Sequence, residues 1–247
     1  MKSTNRTSWF YLCSLGARTA AFLFLLVYAL AAPARFSADL AAAPLSPTPL
    51  LVLWLALMGS MVFRLFPSRM ESLGCQKEFA RCFLSTGHTP GKAEIWPADR
   101  GALRVLALWA AVNALFFLLY WRGWVDGRFL VLLTGFYGVC DIVCILFFCP
   151  FQVWLMGNRC CTTCRIYNWD YLMLCTPLLA LPGFYARSAC LLAAVIFFRW
   201  ELSYRLHPER FFESGNASLQ CSACQEHLCR YKRALSTLPK SHCKKAR

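Results

Sequence analysis

The chain has 247 residues, of which 58% are apolar, and only 12 carry a carboxylate against 26 Lys and Arg, a formal net charge of +14. Because those charges fall in short stretches between long apolar runs, the composition excludes an ordinary soluble globule and reads as an all-α integral membrane protein, a polytopic bundle. A spanning helix satisfies its own backbone polar groups and needs about 20 apolar residues.

In chain order, a polar N-terminal segment, 1–18, precedes a first apolar helix over Thr19–Ala32. Ala29 and Ala31 have the small-residue spacing of a signal-peptidase site, but the leader is long, and an uncleaved anchor is the better reading. Further apolar helices are expected over Leu50–Phe63, Val105–Trp121, Phe129–Cys149 extended to Leu155, Tyr171–Phe184 and Ala189–Tyr204, about six in all. The last two, separated only by Tyr185–Ser188, also suit a hairpin that dips in without crossing. A loop over 64–104 and a basic, cysteine-containing tail over 205–247 complete the chain around a membrane domain of 19–204.

Lys and Arg set the orientation, since positive loops stay cytoplasmic. The segments 1–18, 64–104, 157–170 and the chain after Glu201 hold 21 of them, whereas the intervening connections hold four. Six spans with that asymmetry put both termini in the cytoplasm of a multi-pass cell-membrane protein, most simply a bacterial inner-membrane one. Arg199 lies inside the sixth span, near enough to its end to snorkel.

The same map places ten of the 15 cysteines on the cytoplasmic side and five (Cys140, Cys144, Cys149, Cys175 and Cys190) inside spans. An extracellular disulfide framework would show the opposite distribution. Two clusters stand out: Cys160, Cys161 and Cys164 in the loop between helices four and five, and Cys221, Cys224, His227 and Cys229 in the tail. Each contains a C-x-x-C step, whose two thiolates can point at one ion from a single turn, and four such sulfurs complete a zinc site or hold an iron–sulfur cluster. The apolar hairpin between the clusters returns both to one face. Cys161, Cys164, Cys221 and Cys224 are the expected ligands, with Cys160, Cys229 and His227 as alternates. Two unconnected cysteine patches, or a thiol–disulfide pair, are the competing readings of the same residues. Phe148–Gln152, FCPFQ, resembles the Cys-Pro segments of membrane polyferredoxin anchors over five residues, without their cluster spacing.

Helix four carries a second constellation, with Tyr137, Cys140, Asp141 and Cys144 on one helical face. Asp141 is a carboxylate in the apolar middle of a span, which is costly unless neutral, paired or wetted, so it should face the bundle interior. That face suits a soft cation or a proton relay, or a packed, hydrogen-bonded Asp.

In the long loop, Arg69–Phe83 reads as an amphipathic helix lying on the membrane, with Cys75, Phe79 and Cys82 on its apolar face and Lys77, Glu78 and Arg81 opposite. Residues 230–247 carry seven Lys or Arg and no acid, a composition attracted to anionic lipid, while nothing points to nucleic acid. Walker, dinucleotide, H-E-x-x-H and G-x-S-x-G motifs are absent, so the sequence establishes no reaction. The expected function is a cysteine-ligated iron–sulfur or zinc centre at the cytoplasmic face, used in electron transfer or redox sensing with a membrane or redox partner protein. A scaffold with a structural zinc, or a soft-metal or proton-coupled carrier centred on Asp141, is the alternative.

Overall fold

The computed structural model describes residues 6–158, 160–224 and 226. It is all-helical, and among the described residues the strand conformation is confined to one isolated bridge between Ser85 and Asn216. Eight α-helices follow in order: α1 (Arg6–Ala31), α2 (Pro33–Leu40), α3 (Pro49–Arg64), α4 (Leu73–Gln76), α5 (Lys92–Trp121), α6 (Gly127–Leu146), α7 (Asp170–Cys175) and α8 (Phe184–Leu206). Three of them, α1 from Thr7, α5 and α6, are long and apolar enough to cross a membrane. Capping sets several starts. Thr48 accepts from the Leu51 amide with Pro49 at the first helical position, and Asp126 accepts from the Phe129 amide.

The sequence-derived boundaries need correcting in four places. The first helix begins at Arg6 rather than Thr19, which puts Arg18 and Cys13 inside it. The helix expected from Val105 begins at Lys92, because the charged turns before the apolar run stay helical as they enter the polar end of the bundle. The run expected over 129–155 breaks after Leu146, where Pro150 removes an amide donor and disfavours helix before it, and Phe151–Leu155 forms a separate wide turn of π-helix. The segment expected as one helix over 171–184 is α7 followed by a 3-10 stretch, Thr176–Ala180, opened by Pro177, and α8 takes over after Gly183 at φ 108°.

α1 packs on α6, α3 on α8, and α7 between α6 and α8. One end of the bundle gathers the start of α1, the end of α3 and the connections 65–91, 160–169 and 207–224 into a polar cap. There Tyr11 meets Tyr167 with hydroxyls 3.3 Å apart, and Ser8 donates to the Glu226 carbonyl. The opposite end brings Leu40, Gly127, Leu181 and Gly183 together. The largest core cluster lies under the cap, joining Tyr11, Cys75, Val105, Ile142, Leu146, Tyr167, Trp200 and Phe211.

The membrane-surface helix expected over Arg69–Phe83 is also corrected. This segment forms the four-residue α4 and a 3-10 turn, Ala80–Cys82, and it folds into the cap with Cys75, Gln76 and Lys77 all buried. Lys77, assigned to the solvent face by periodicity, is 0% exposed.

Candidate functional site

The cap is assembled around buried charges. Arg64, at the end of α3, donates Nε to Glu71 (2.7 Å) and Nη1 to the Asn168 side chain (2.8 Å), and its Nη2 lies 3.2 Å from Asp170. Glu71 also accepts from Gln76, and Asn168 donates to the Cys75 carbonyl. One guanidinium thus fixes the end of α3, α4 and the start of α7 together. Buried in this way, each partner needs the others, because a lone charge at that depth costs several kcal/mol.

Lys77 fixes the cysteine loop. Its ammonium donates to the carbonyls of Thr162 (2.8 Å) and Cys164 (2.9 Å) and faces the rings of Trp200 and Phe211 at 5.4 and 5.5 Å. Burial pulls its pKa down to about 7, although the nearby Cys164 sulfur opposes the shift. Beside it, burial pushes the Glu78 carboxyl up to about 7 despite Arg199 and Arg64. Arg165, the residue after Cys164, forks onto Glu201 of α8 at 2.7 and 2.5 Å and lies 3.6 Å over the Tyr204 ring. Its carbonyl accepts from the Trp200 indole, while Trp169 donates to Glu201.

Within that frame the first C-x-x-C step closes as a turn, the Cys164 amide donating to the Cys161 carbonyl at 3.0 Å. Cys161 and Cys164 are buried in the core under the cap, with Cys161 Sγ 3.4 Å from Gln152 Oε1. Cys160 is half-buried, its sulfur 2.9 Å from Thr162 Oγ1. Burial raises the Cys75 thiol well above its ordinary range, which marks it as a packed, protonated group.

The tail is held against the cap on both sides of the second step. Asn216 accepts from the Leu84 amide and donates to the Arg210 carbonyl, and Ser218 donates to the Cys82 carbonyl at 2.8 Å. Past the step, the Glu226 carboxylate accepts from the Leu73 amide. Between these anchors the Cys224 amide approaches the Cys221 carbonyl at 3.4 Å, a looser turn than the first, with Cys221 exposed and Cys224 half-buried. Cys229 and His227 lie outside the described residues. Among the described residues, no three His, Cys, Asp or Glu side chains stand together as a ligand set.

The constellation on α6 is divided between two neighbours. Asp141 accepts from Arg18 of α1 at 2.7 Å, and the same Nη1 donates to the Gly138 carbonyl at 3.0 Å. Tyr137 instead packs at a tilt against Trp109 of α5, ring centroids 4.5 Å apart, and Cys140 and Cys144 are half-buried. Sequence reasoning placed Asp141 toward the bundle interior, where it is, but missed Arg18 as its partner. The available signal was Arg18 at the edge of the first apolar run, the basic residue nearest to it in the N-terminal segment. Lys77 and Arg165 were also missed, since local periodicity says nothing about carbonyls 85 residues away. Compared with protein-family models, curated proteins and solved structures, the chain matches none.

Proposed function

We propose that the chain is a multi-pass membrane protein, its six apolar segments crossing with both termini cytoplasmic, whose cap binds one metal centre through cysteine thiolates. Support for the crossings is the alternation of residues between the two ends: Leu181 and Gly183 lie with Leu40 and Gly127, whereas Tyr167 and Glu226 lie with Tyr11 and Ser8. The observation that carries the metal reading is the pinning of the tail on both flanks of Cys221 and Cys224, by Asn216 and Ser218 before and Glu226 after. The second C-x-x-C is thereby delivered to the same cap that holds the first, and both steps are already turned as two-thiolate donors are. Cys161, Cys164, Cys221 and Cys224 are the proposed ligands, with Cys160, Cys229 and His227 as alternates. Sharing one ion requires the exposed Cys221 turn to close over the loop and the two buried thiols to turn toward it. Iron–sulfur would fit electron transfer or redox sensing with a membrane partner.

Elemental analysis after anaerobic purification tests this. Stoichiometric iron with labile sulfide, or zinc, lost on replacing Cys161 and Cys164 by Ser, is the expected result. Metal-free wild type, or metal retained in that double variant, overturns the shared site. A scaffold role is the second reading. It is favoured by tail hydrogen bonds that hold without any metal ligand taking part, and stoichiometric zinc without redox response would select it. A carrier centred on Asp141 gains less, because Arg18 already compensates its charge.

A further inference from the structure

A cavity of about 760 Å3 lies between α1, α3, α6 and α8, apart from the cysteines. Its wall follows α3 from Leu50 to Arg64, roughly 21 Å of helix. The volume is in the range of built ligand sites. Ala17, Ala21 and Ala56 leave its flanks open, and Leu53, Leu57 and Leu178 make most of its length apolar. Its charged lining lies at the cap end, where Arg18, Arg64 and Glu71 reach it beside Ser14 and Ser60, whereas the far end closes on Pro182 and Gly183 with Ser37 and Tyr185.

Charge balance at the polar end decides what fits. Arg18 is paired with Asp141, and Arg64 with Glu71 and Asp170. Neither guanidinium is left to neutralise an incoming anion. An anionic head group would therefore enter the bundle without a counter-charge, at a cost that apolar contact cannot offset. An uncharged carbonyl or hydroxyl head meets no such penalty, since it can accept from a guanidinium N–H, or donate to Glu71 or to the Ser60 oxygen, whose own proton goes to the Leu57 carbonyl. One long apolar tail then fills the remainder, and burial of that tail drives binding.

We propose that this cavity binds a single-chain amphiphile with an uncharged, oxygen-bearing head, the chemistry shared by prenyl quinones and prenyl alcohols, with its head beside Arg18, Arg64 and Ser60 and its tail toward Pro182. Trp54 lines the cavity and reports on it. The test is quenching of tryptophan fluorescence in the full-length protein by decylubiquinone, with farnesol and laurate as competitors. Saturable quenching that laurate fails to displace is expected, and Ala17→Phe and Ala56→Phe should each raise the half-saturation concentration at least tenfold without lowering the thermal midpoint. Displacement by farnesol identifies the prenyl alcohol as a sufficient ligand, and its failure restricts the site to quinones; both support the proposal. Equal quenching of wild type and both variants, or displacement by laurate, overturns it. Should both variants misfold, mass spectrometry of lipid co-purified with wild type decides: a stoichiometric single-chain neutral amphiphile supports the site, and phospholipid alone overturns it.

Discussion

Arg18 of α1 and Asp141 of α6, 123 positions apart in the chain, meet at 2.7 Å with side chains only 23% and 17% exposed. Each makes the other tolerable inside an apolar layer, so the two helices are matched in depth as well as in packing. Removing one charge strands the other. Asp141→Asn should therefore destabilise the protein by about 3 kcal/mol. The double variant Arg18→Leu with Asp141→Leu should recover most of that loss, because an apolar pair needs no compensation. Thermal unfolding in detergent of the two singles and the double measures the coupling, and additive effects would show that the contact carries no energy.

Neighbouring residues Lys77 and Glu78 should give the cap a stability minimum near neutral pH. Glu78 titrates at about 7 in the fold against 4.5 ordinarily, so its contribution is complete below 4.5 and is lost as pH rises through about 7. Lys77, depressed from 10.5 to about 7, behaves oppositely: its contribution is complete above 10.5 and is lost as pH falls through about 7. Each limb amounts to something on the order of 3 kcal/mol. In a pH series of unfolding midpoints, Glu78→Gln should flatten the acid limb and Lys77→Met the alkaline one. A monotonic wild-type profile would contradict both assignments.

Arg165→Lys is a severe change despite the retained charge. Lysine cannot fork onto both Glu201 oxygens or lay a planar group on Tyr204, and a loss of about 2 kcal/mol is expected. The 160–164 loop should loosen with it. Alkylation of Cys161 and Cys164 under native conditions should then accelerate, and unchanged rates would mean that Lys77 alone fixes the loop.

Asn216→Ala removes the side chain that joins the Leu84 amide to the Arg210 carbonyl. Both groups lose their partner, at about 1–3 kcal/mol for each that stays buried. Limited trypsinolysis should cut after Arg210 faster than in wild type, while unaltered cutting would assign tail docking to Glu226 and Ser218.

The apolar stretches of α5 and α6 were readable from sequence because their signal is local. Val105–Trp121 and the bulk of Phe129–Leu146 lie within α5 and α6. What sequence could not show was set by distant partners. The charges of Lys92–Arg104 broke the hydropathy pattern, yet the helix continues through them and presents Asp99 to Arg165. Arg18 looked like the edge of the apolar run until Asp141 supplied its counter-charge. In the loop, the helical spacing of Cys75, Phe79 and Cys82 suggested a surface helix with Lys77 on its polar face, but two carbonyls from 162 and 164 draw the ammonium inward. Spacing located the C-x-x-C steps and their turns. It could not say that Cys161 faces the core while Cys221 faces outward.

The change from α7 to 3-10 geometry bears on the surrounding lipid. Six residues of α-helix and five of 3-10 cover roughly 19 Å, against a hydrocarbon thickness of about 30 Å. On the six-crossing reading proposed above, a crossing that short would create hydrophobic mismatch, which ordinary helices relieve by tilting. Here Leu174, Cys175 and Leu178 are buried against neighbouring helices, and Leu179 is the exposed apolar residue of the segment. On that reading the mismatch would be absorbed by protein contacts along most of its length and felt by lipid at one corner, and such a protein would be best accommodated where the bilayer is locally thin.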